Sequence, residues 1–133
     1  DVDETAEVIG WLNELGVNYI HLAAPSFRAV SWKYPGSEET NLHRLAKVVR
    51  EGIAVVAAGG INVAKDAEDA LKEGASLVAV AKAAILTPDW PVKVLDSGFT
   101  PAKFPVTEAE LTAAGITRGL VRYLRMINLV KDA

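Results

Sequence analysis

The sequence contains no cysteine, one methionine and two histidines among its 133 residues. Without cysteine, the chain can form no disulfide, thiolate nucleophile or cysteine-ligated metal site. A net charge of −3 gives no electrostatic reason to expect nucleic acid or an anionic membrane as partner. No apolar run approaches the roughly 20 residues of a membrane helix, and the acidic start DVDETAEV is unlike a signal peptide. These absences favour a soluble domain, or a piece of one, in the reducing cytoplasm.

What is present is an alternation of helix-patterned segments with short apolar runs. Half of the residues are hydrophobic and 23% are charged, which is typical of a folded domain. Three apolar runs predict strands, at residues 17–24, 53–58 and 77–81. The order α-β-α-β-α-β-α-α-α predicts an α/β fold in which helices cover a parallel sheet.

The spacing of apolar residues also predicts the helices in some detail. In the first helix, residues 1–15, the apolar face is expected to consist of Val8, Trp11, Leu12 and Leu15. A second helix is predicted at residues 37–51, and a third runs from a cap at Asn62 to a stop at Gly74. A short helical turn is predicted at 83–86, and a short helix at 89–95, with Pro88 at the first helical position. Of the last two helices, one is predicted to begin at Thr107, which forms a capping box with Glu110, and the other to span residues 117–130. Residues 25–36, between the first strand and the second helix, form a long loop at a strand's carboxyl end, where function is often found.

A sheet of three strands is unfavourable by itself, because two of the three strands lie at an edge and have unpaired backbone groups. A closed eight-stranded βα barrel typically needs about 250 residues, so this chain supplies about three-eighths of one. We therefore expect a single partial domain over residues 1–133: about three βα units from the C-terminal part of a TIM (β/α)8 barrel, followed by terminal helices.

Gly59 and Gly60 follow the second strand, and Lys82 follows the third. Glycines let backbone N–H groups approach an anion closely, and the helix that opens after them adds its positive end. Parallel strands bring their carboxyl ends to one crevice, so the lysine charge would lie nearby. These residues predict a phosphate site, although the glycines could simply turn a strand into a helix.

The segment from Val55 to Pro91 carries a family resemblance. Its VVAAGGI, DAEDAL, EGASLVAVAK and PDWP motifs resemble the C-terminal part of the NADH:flavin oxidoreductases, the old yellow enzyme family. That family shows a GGI turn, a DAE-x-AL helix, GAD-LVA-x-GR on its last barrel strand and a DPDWP helix start. Upstream, GVNYIHLA is similar to the family's sixth-strand pattern GVDYLHVS, so the resemblance covers about Ala6 to Lys93.

The resemblance implies a flavoprotein in which NADH or NADPH reduces FMN and hydride then passes to an acceptor, often an activated alkene. It implies that the FMN phosphate is held by Gly59, Gly60, Ala81 and Lys82. The family's Gly-Arg pair is Ala81-Lys82 here, and lysine lacks the planar fork of arginine. The family's substrate and flavin-ring contacts come mainly from the first five strands, so no catalytic residue is assigned here, no metal is expected, and the isolated chain is expected to be inactive.

Other polar residues have ordinary structural interpretations. His21 is expected to be a packed or strand-end histidine, and His43 a solvated one. Loop residues Arg28, Trp32, Lys33 and Tyr34 are either flavin or substrate contacts in an intact barrel, or an exposed loop packed by its own aromatics. The acids Asp66, Glu68 and Asp69 and the basic row Arg118, Arg122 and Arg125 are expected to face solvent.

Two alternatives to the flavin enzyme stay open. A different phosphate-binding βα-barrel enzyme would need the same glycines and the same strand-end cation. A non-catalytic assembly module would instead pair its exposed strand edges with another copy. Whichever function holds, the strands at residues 17–24 and 77–81 present unpaired edges and apolar faces, so we expect a homo-oligomer that forms through these edges.

Overall fold

The computed structural model describes residues 1–132 as two compact units, Asp1–Val80 and the remainder from Ala81. The first unit contains α1 (Val2–Leu15), β1 (Tyr19–Ala23), α2 (Asn41–Ala46), β2 (Ala54–Ala58), α3 (Ala64–Lys72) and β3 (Leu77–Ala79). The second contains α4 (Lys82–Leu86), α5 (Trp90–Lys93), β4 (Val106–Thr107), α6 (Glu108–Ala113), α7 (Arg118–Met126) and β5 (Val130–Lys131). The α/β class and its alternating order are as predicted, while the barrel origin and the single partial domain stay predictions.

The three strands of the first unit form a parallel sheet in the order β1-β2-β3. Tyr19 lies beside Ala54 at one end of the ladder, and Ala23 lies beside Ala58 at the other. On the far side of β2, Ala58 pairs with Ala79. The carboxyl ends of the strands therefore meet at one edge of the sheet, and β1 and β3 are the outer strands, as the sequence predicts.

One face of this sheet is packed and the other is open. Ile20 and Val55 are adjacent in the register and buried, and Ile20 packs with Val2, Ile9 and Leu45 from the two flanking helices. Side chains alternate between faces along a strand. The opposite face carries Tyr19, His21, Val56 and Leu77, of which Tyr19 and Leu77 are 62% and 58% exposed. The Ile20 side of the sheet is therefore packed against helices, and the Tyr19 side is open in the described chain.

Helix α1 begins and ends as predicted, but it buries a different stripe. The Asp1 side chain accepts hydrogen bonds from the N–H groups of the first turn, and Gly16 ends the helix with φ of 69°. The buried residues are Val2 and Ile9, with Ala6 and Leu12 packed beside them. Three of the residues assigned to the apolar face are instead exposed: Val8 (43%), Trp11 (61%) and Leu15 (77%).

Helices α2 and α5 have boundaries that differ from the predicted ones. Helix α2 begins only after Thr40, whose hydroxyl accepts from the His43 N–H, so Glu38 and Glu39 precede the helix. It ends early because Val48 and Val49 bond three residues back instead of four. Helix α5 has Pro91, not Pro88, in its first turn.

The second unit packs around a small core of its own. Val106, Leu111, Val121 and Leu124 are buried together. The predicted capping box of Thr107 and Glu110 is present at the start of α6. The last helix ends at Met126, four residues early, because Asn128 adopts a left-handed φ of 58°. The following residues form β5, which pairs in parallel with β4 and was not predicted.

Among the described residues, no helix is both long and apolar enough to cross a bilayer.

Candidate anion site at the carboxyl end of β2

Gly59 forms the turn after β2, where two segments of backbone come very close. Its φ is 122°, a conformation that favours glycine. A Cβ at this position would lie 1.9 Å from the carbonyl oxygen of Ala24, just after β1. The Gly59 carbonyl also accepts from the N–H of Phe27 at 2.9 Å. Gly59 is therefore required for the turn itself, whether or not a ligand binds there.

The backbone N–H groups after β2 fall into two sets. Within residues 1–132, no acceptor takes the N–H of Gly59, Gly60 or Ile61. Gly60 has φ of 69°, and the three atoms nearest to a Cβ there would all belong to Ser26, at 3.4–3.6 Å. The N–H groups of Asn62 and Val63, in contrast, both donate to one carboxylate oxygen of Asp66, at 2.9 and 3.1 Å. Successive N–H donors at a glycine turn are the kind of backbone that can bind an anion.

The cap of α3 differs from the predicted one. Val63, not Asn62, is the residue that precedes the helix. The Asn62 amide donates back to the Gly60 carbonyl at 3.0 Å, which braces the turn. Asp66, in the first helical turn, supplies the acceptor that a valine cannot, and this position near the helix N-terminus also suits its negative charge.

Arg28 links the loop after β1 to helix α3. Its guanidinium donates to Asp66 and to Asp69, each at 2.8 Å. Burial alone would raise the pKa of Asp66, but the Arg28 hydrogen bond and the two backbone N–H groups outweigh it and lower the pKa. The pKa of Asp69 is lowered by its hydrogen bonds to Lys65 and Arg28. Both carboxylates are therefore held in the charged form, and Arg28 is the cation they share.

Ala81 and Lys82 lie at the start of the second unit. The third strand ends at Ala79, two residues before the predicted end, and Ala81 precedes α4 without a side-chain cap. Lys82 is the first residue of α4 and is exposed. The register places the ends of β2 and β3 side by side, at Ala58 and Ala79.

Most loop residues that invited a functional assignment have partners inside the chain. Lys33 pairs with Asp3 at 2.6 Å, and the Tyr34 hydroxyl donates to the same carboxylate at 2.7 Å. Trp32 is 82% exposed. His21 is exposed and borders a cavity of about 450 Å³ between β1, the loop and α2.

The remaining polar candidates lie on surfaces. His43 has Nδ1 3.7 Å from a Glu73 carboxylate oxygen. In the basic row of α7, all three arginines are exposed and Arg125 pairs with Glu108 at 2.7 Å. Over the described range, no three side chains of His, Cys, Asp or Glu converge in a way that could hold a metal ion.

Comparison with known proteins gives a partial match. The chain is 32% identical over 97 residues to a protein named NADH:acrylate oxidoreductase from Vibrio harveyi. The matched region is 71% of this chain but 10% of that protein, so the chain spans about a tenth of the relative's length. No protein-family model matches the chain.

Proposed function

We propose that this chain forms the FMN-phosphate end of an NADH-dependent oxidoreductase that transfers hydride to an activated alkene. The observation that carries the proposal is the 97-residue match to a protein named for NADH and acrylate. Acrylate is an alkene activated by a carboxylate, the acceptor class that the old yellow enzyme resemblance also implies. Bound FMN would supply the hydride chemistry, and the protein would position the flavin and its acceptor.

The residues after β2 fit a phosphate group. The N–H groups of Gly59, Gly60 and Ile61 have no acceptor within the described residues. Helix α3 begins at Ala64, with two residues between it and Ile61, and its N-terminus carries a partial positive charge. The old yellow enzyme resemblance assigns the cationic contact with the phosphate to Lys82 and a backbone N–H to Ala81, and these two assignments rest on the resemblance alone.

The open surfaces of the first unit support the proposal that it is three βα units of a larger barrel. The strands β1 and β3 each have one unpaired edge within the described sheet. The sheet face around Tyr19 and Leu77 is uncovered, as the interior face of a barrel would be without its other strands. On α1, Trp11 and Leu15 form an exposed apolar stripe that a preceding βα unit would cover. Self-association through the same surfaces stays a prediction.

An FMN titration of the full natural chain tests the proposed site. We expect Lys82→Gln to weaken FMN binding by about 10- to 100-fold, the loss of about 1.5–3 kcal/mol that a charge-assisted hydrogen bond provides. Lys82→Arg should bind at least as tightly as the wild type, because arginine can contact a phosphate through two N–H groups. The matched control is Lys103→Gln, an equal charge change at another exposed lysine of the second unit. A wild-type chain that binds no FMN would contradict the proposal.

One observation also favours a phosphate-binding barrel enzyme without flavin. The donors at Gly59–Ile61 are backbone N–H groups, which recognise a phosphate but not the ring attached to it. Binding of inorganic pyrophosphate or a sugar phosphate, with no binding of FMN, would favour this second candidate.

A further inference from the structure

We propose that Arg28 is a positioning residue for the anion site: it neutralises Asp66 and fixes it as the cap of α3, so that a phosphate can bind one residue away. The inference rests on the proposed function, because it concerns the same turn. Beyond the proposed function, it assigns a role to Arg28, which is distant from the turn in sequence and neutralises the carboxylate that would otherwise repel an anion there.

The reason for the proposal is that a carboxylate lies beside the expected phosphate. Asp66 occupies the N–H groups of Asn62 and Val63, immediately after the three N–H groups that are free of protein acceptors in the described chain. An uncompensated negative charge at this distance would repel a phosphate. The other oxygen of the same carboxylate binds Arg28 at 2.8 Å, so the carboxylate that faces the turn is neutralised.

Arg28 is itself held in place by the loop that contacts the turn. Its guanidinium lies 4.2 Å from the ring centre of Phe27, which is 3% exposed. The Phe27 N–H donates to the Gly59 carbonyl at 2.9 Å, and the Arg28 N–H donates to the Ser26 hydroxyl at 3.2 Å. The arginine and the glycine turn are therefore parts of one connected arrangement.

Two cations and two carboxylates surround the turn, so a control variant can be chosen that makes the same change in net charge as Arg28→Gln. Arg28 and Lys65 are the cations, and Asp66 and Asp69 are the anions. Lys65 pairs with Asp69, and the ion pairs of Asp66 within the described residues involve Arg28. Arg28→Gln and Lys65→Gln thus make the same change in net charge, but Arg28→Gln removes the cation that binds Asp66.

The experiment measures binding of FMN, and separately of inorganic pyrophosphate, to the full natural chain and its variants. We expect Arg28→Gln to weaken both by about tenfold, the order expected for one lost neutralising charge near a partly exposed site. Lys65→Gln should weaken binding of either anion less than about threefold, because Lys65 pairs with Asp69 and not with Asp66, the carboxylate beside the turn. Arg28→Lys should be intermediate, since one ammonium cannot bridge two carboxylates in the way the guanidinium fork does.

A charge rescue separates the proposed role from a merely structural one. In the double variant Arg28→Gln with Asp66→Asn, the asparagine oxygen can still accept from the helix start but carries no charge. We expect the double variant to recover most of the lost affinity. A double variant as weak as Arg28→Gln, or equal losses in Arg28→Gln and Lys65→Gln, would overturn the proposal.

The two anions also distinguish this inference from the proposed function. Pyrophosphate binding that depends on Arg28, without any FMN binding, would overturn the flavin function and support the role of Arg28. FMN binding that Arg28→Gln leaves unchanged would support the flavin function and overturn the role of Arg28. A wild-type chain that binds neither anion would overturn both.

Discussion

Gly59→Ala is expected to destabilise the first unit by about 2–6 kcal/mol. The new methyl group would lie 1.9 Å from the Ala24 carbonyl oxygen, a separation that only a shift of backbone can relieve. The φ of 122° adds the strain of placing an alanine where glycine is favoured. Urea unfolding followed by circular dichroism measures the loss.

Gly52→Ala is the matched control for this change. Gly52 also has a positive φ, of 90°, but a Cβ there would meet no heavy atom within 4 Å. It should therefore cost only the conformational strain, about 1–3 kcal/mol. Equal losses of unfolding free energy for Gly59→Ala and Gly52→Ala would show that the close approach of the Ala24 carbonyl is not the reason why position 59 needs glycine.

Ile9→Ala is expected to cost about 2–5 kcal/mol in the 133-residue chain, and Leu15→Ala no more than about 0.5 kcal/mol. Both residues lie on α1 and lose a similar volume. Ile9 is 1% exposed and packs with Ile20 and Leu45, whereas Leu15 is 77% exposed. Equilibrium unfolding of the two variants in parallel makes the comparison.

This pair distinguishes the observed packing of α1 from the one that its sequence pattern predicts. The pattern assigns Leu15 to the apolar face and leaves Ile9 out. A larger loss for Leu15→Ala would therefore contradict the observed orientation of the helix. The small loss that we expect also fits the proposal that the Trp11 and Leu15 stripe is covered by chain outside these 133 residues.

The strands were predictable because apolar runs bounded by glycine leave few alternatives. The apolar runs at residues 53–58 and 77–81 have strand character and come shortly after Gly52 and Gly74, and β2 and β3 lie inside those ranges. The orientation of α1 was not predictable in the same way. Periodicity finds apolar stripes, but it does not tell which of two stripes a neighbouring element covers.

Strand β5 illustrates a second limit. It is two residues long, Val130–Lys131, and exists because β4 pairs with it. No alternation can be recognised over two residues. The apolar residues after Leu124 instead continued the helical pattern, so the last helix was predicted to run to Val130.

The glycine turn of the candidate site was predictable, but its electrostatic surroundings were not. Gly59 and Gly60 stand out after an apolar run, and an acid three residues after Val63 has the spacing of a helix cap. Arg28 and Asp66 are 38 residues apart in sequence. Their ion pair depends on the loop after β1 folding against the turn after β2, which no local pattern specifies.

The central claim is tested most directly by anaerobic addition of NADH to the full natural chain loaded with FMN. We expect the visible absorbance of the oxidised flavin to disappear on addition of NADH and to return when acrylate is added. Failure of the chain to retain FMN, or a flavin spectrum unchanged by NADH, would contradict it.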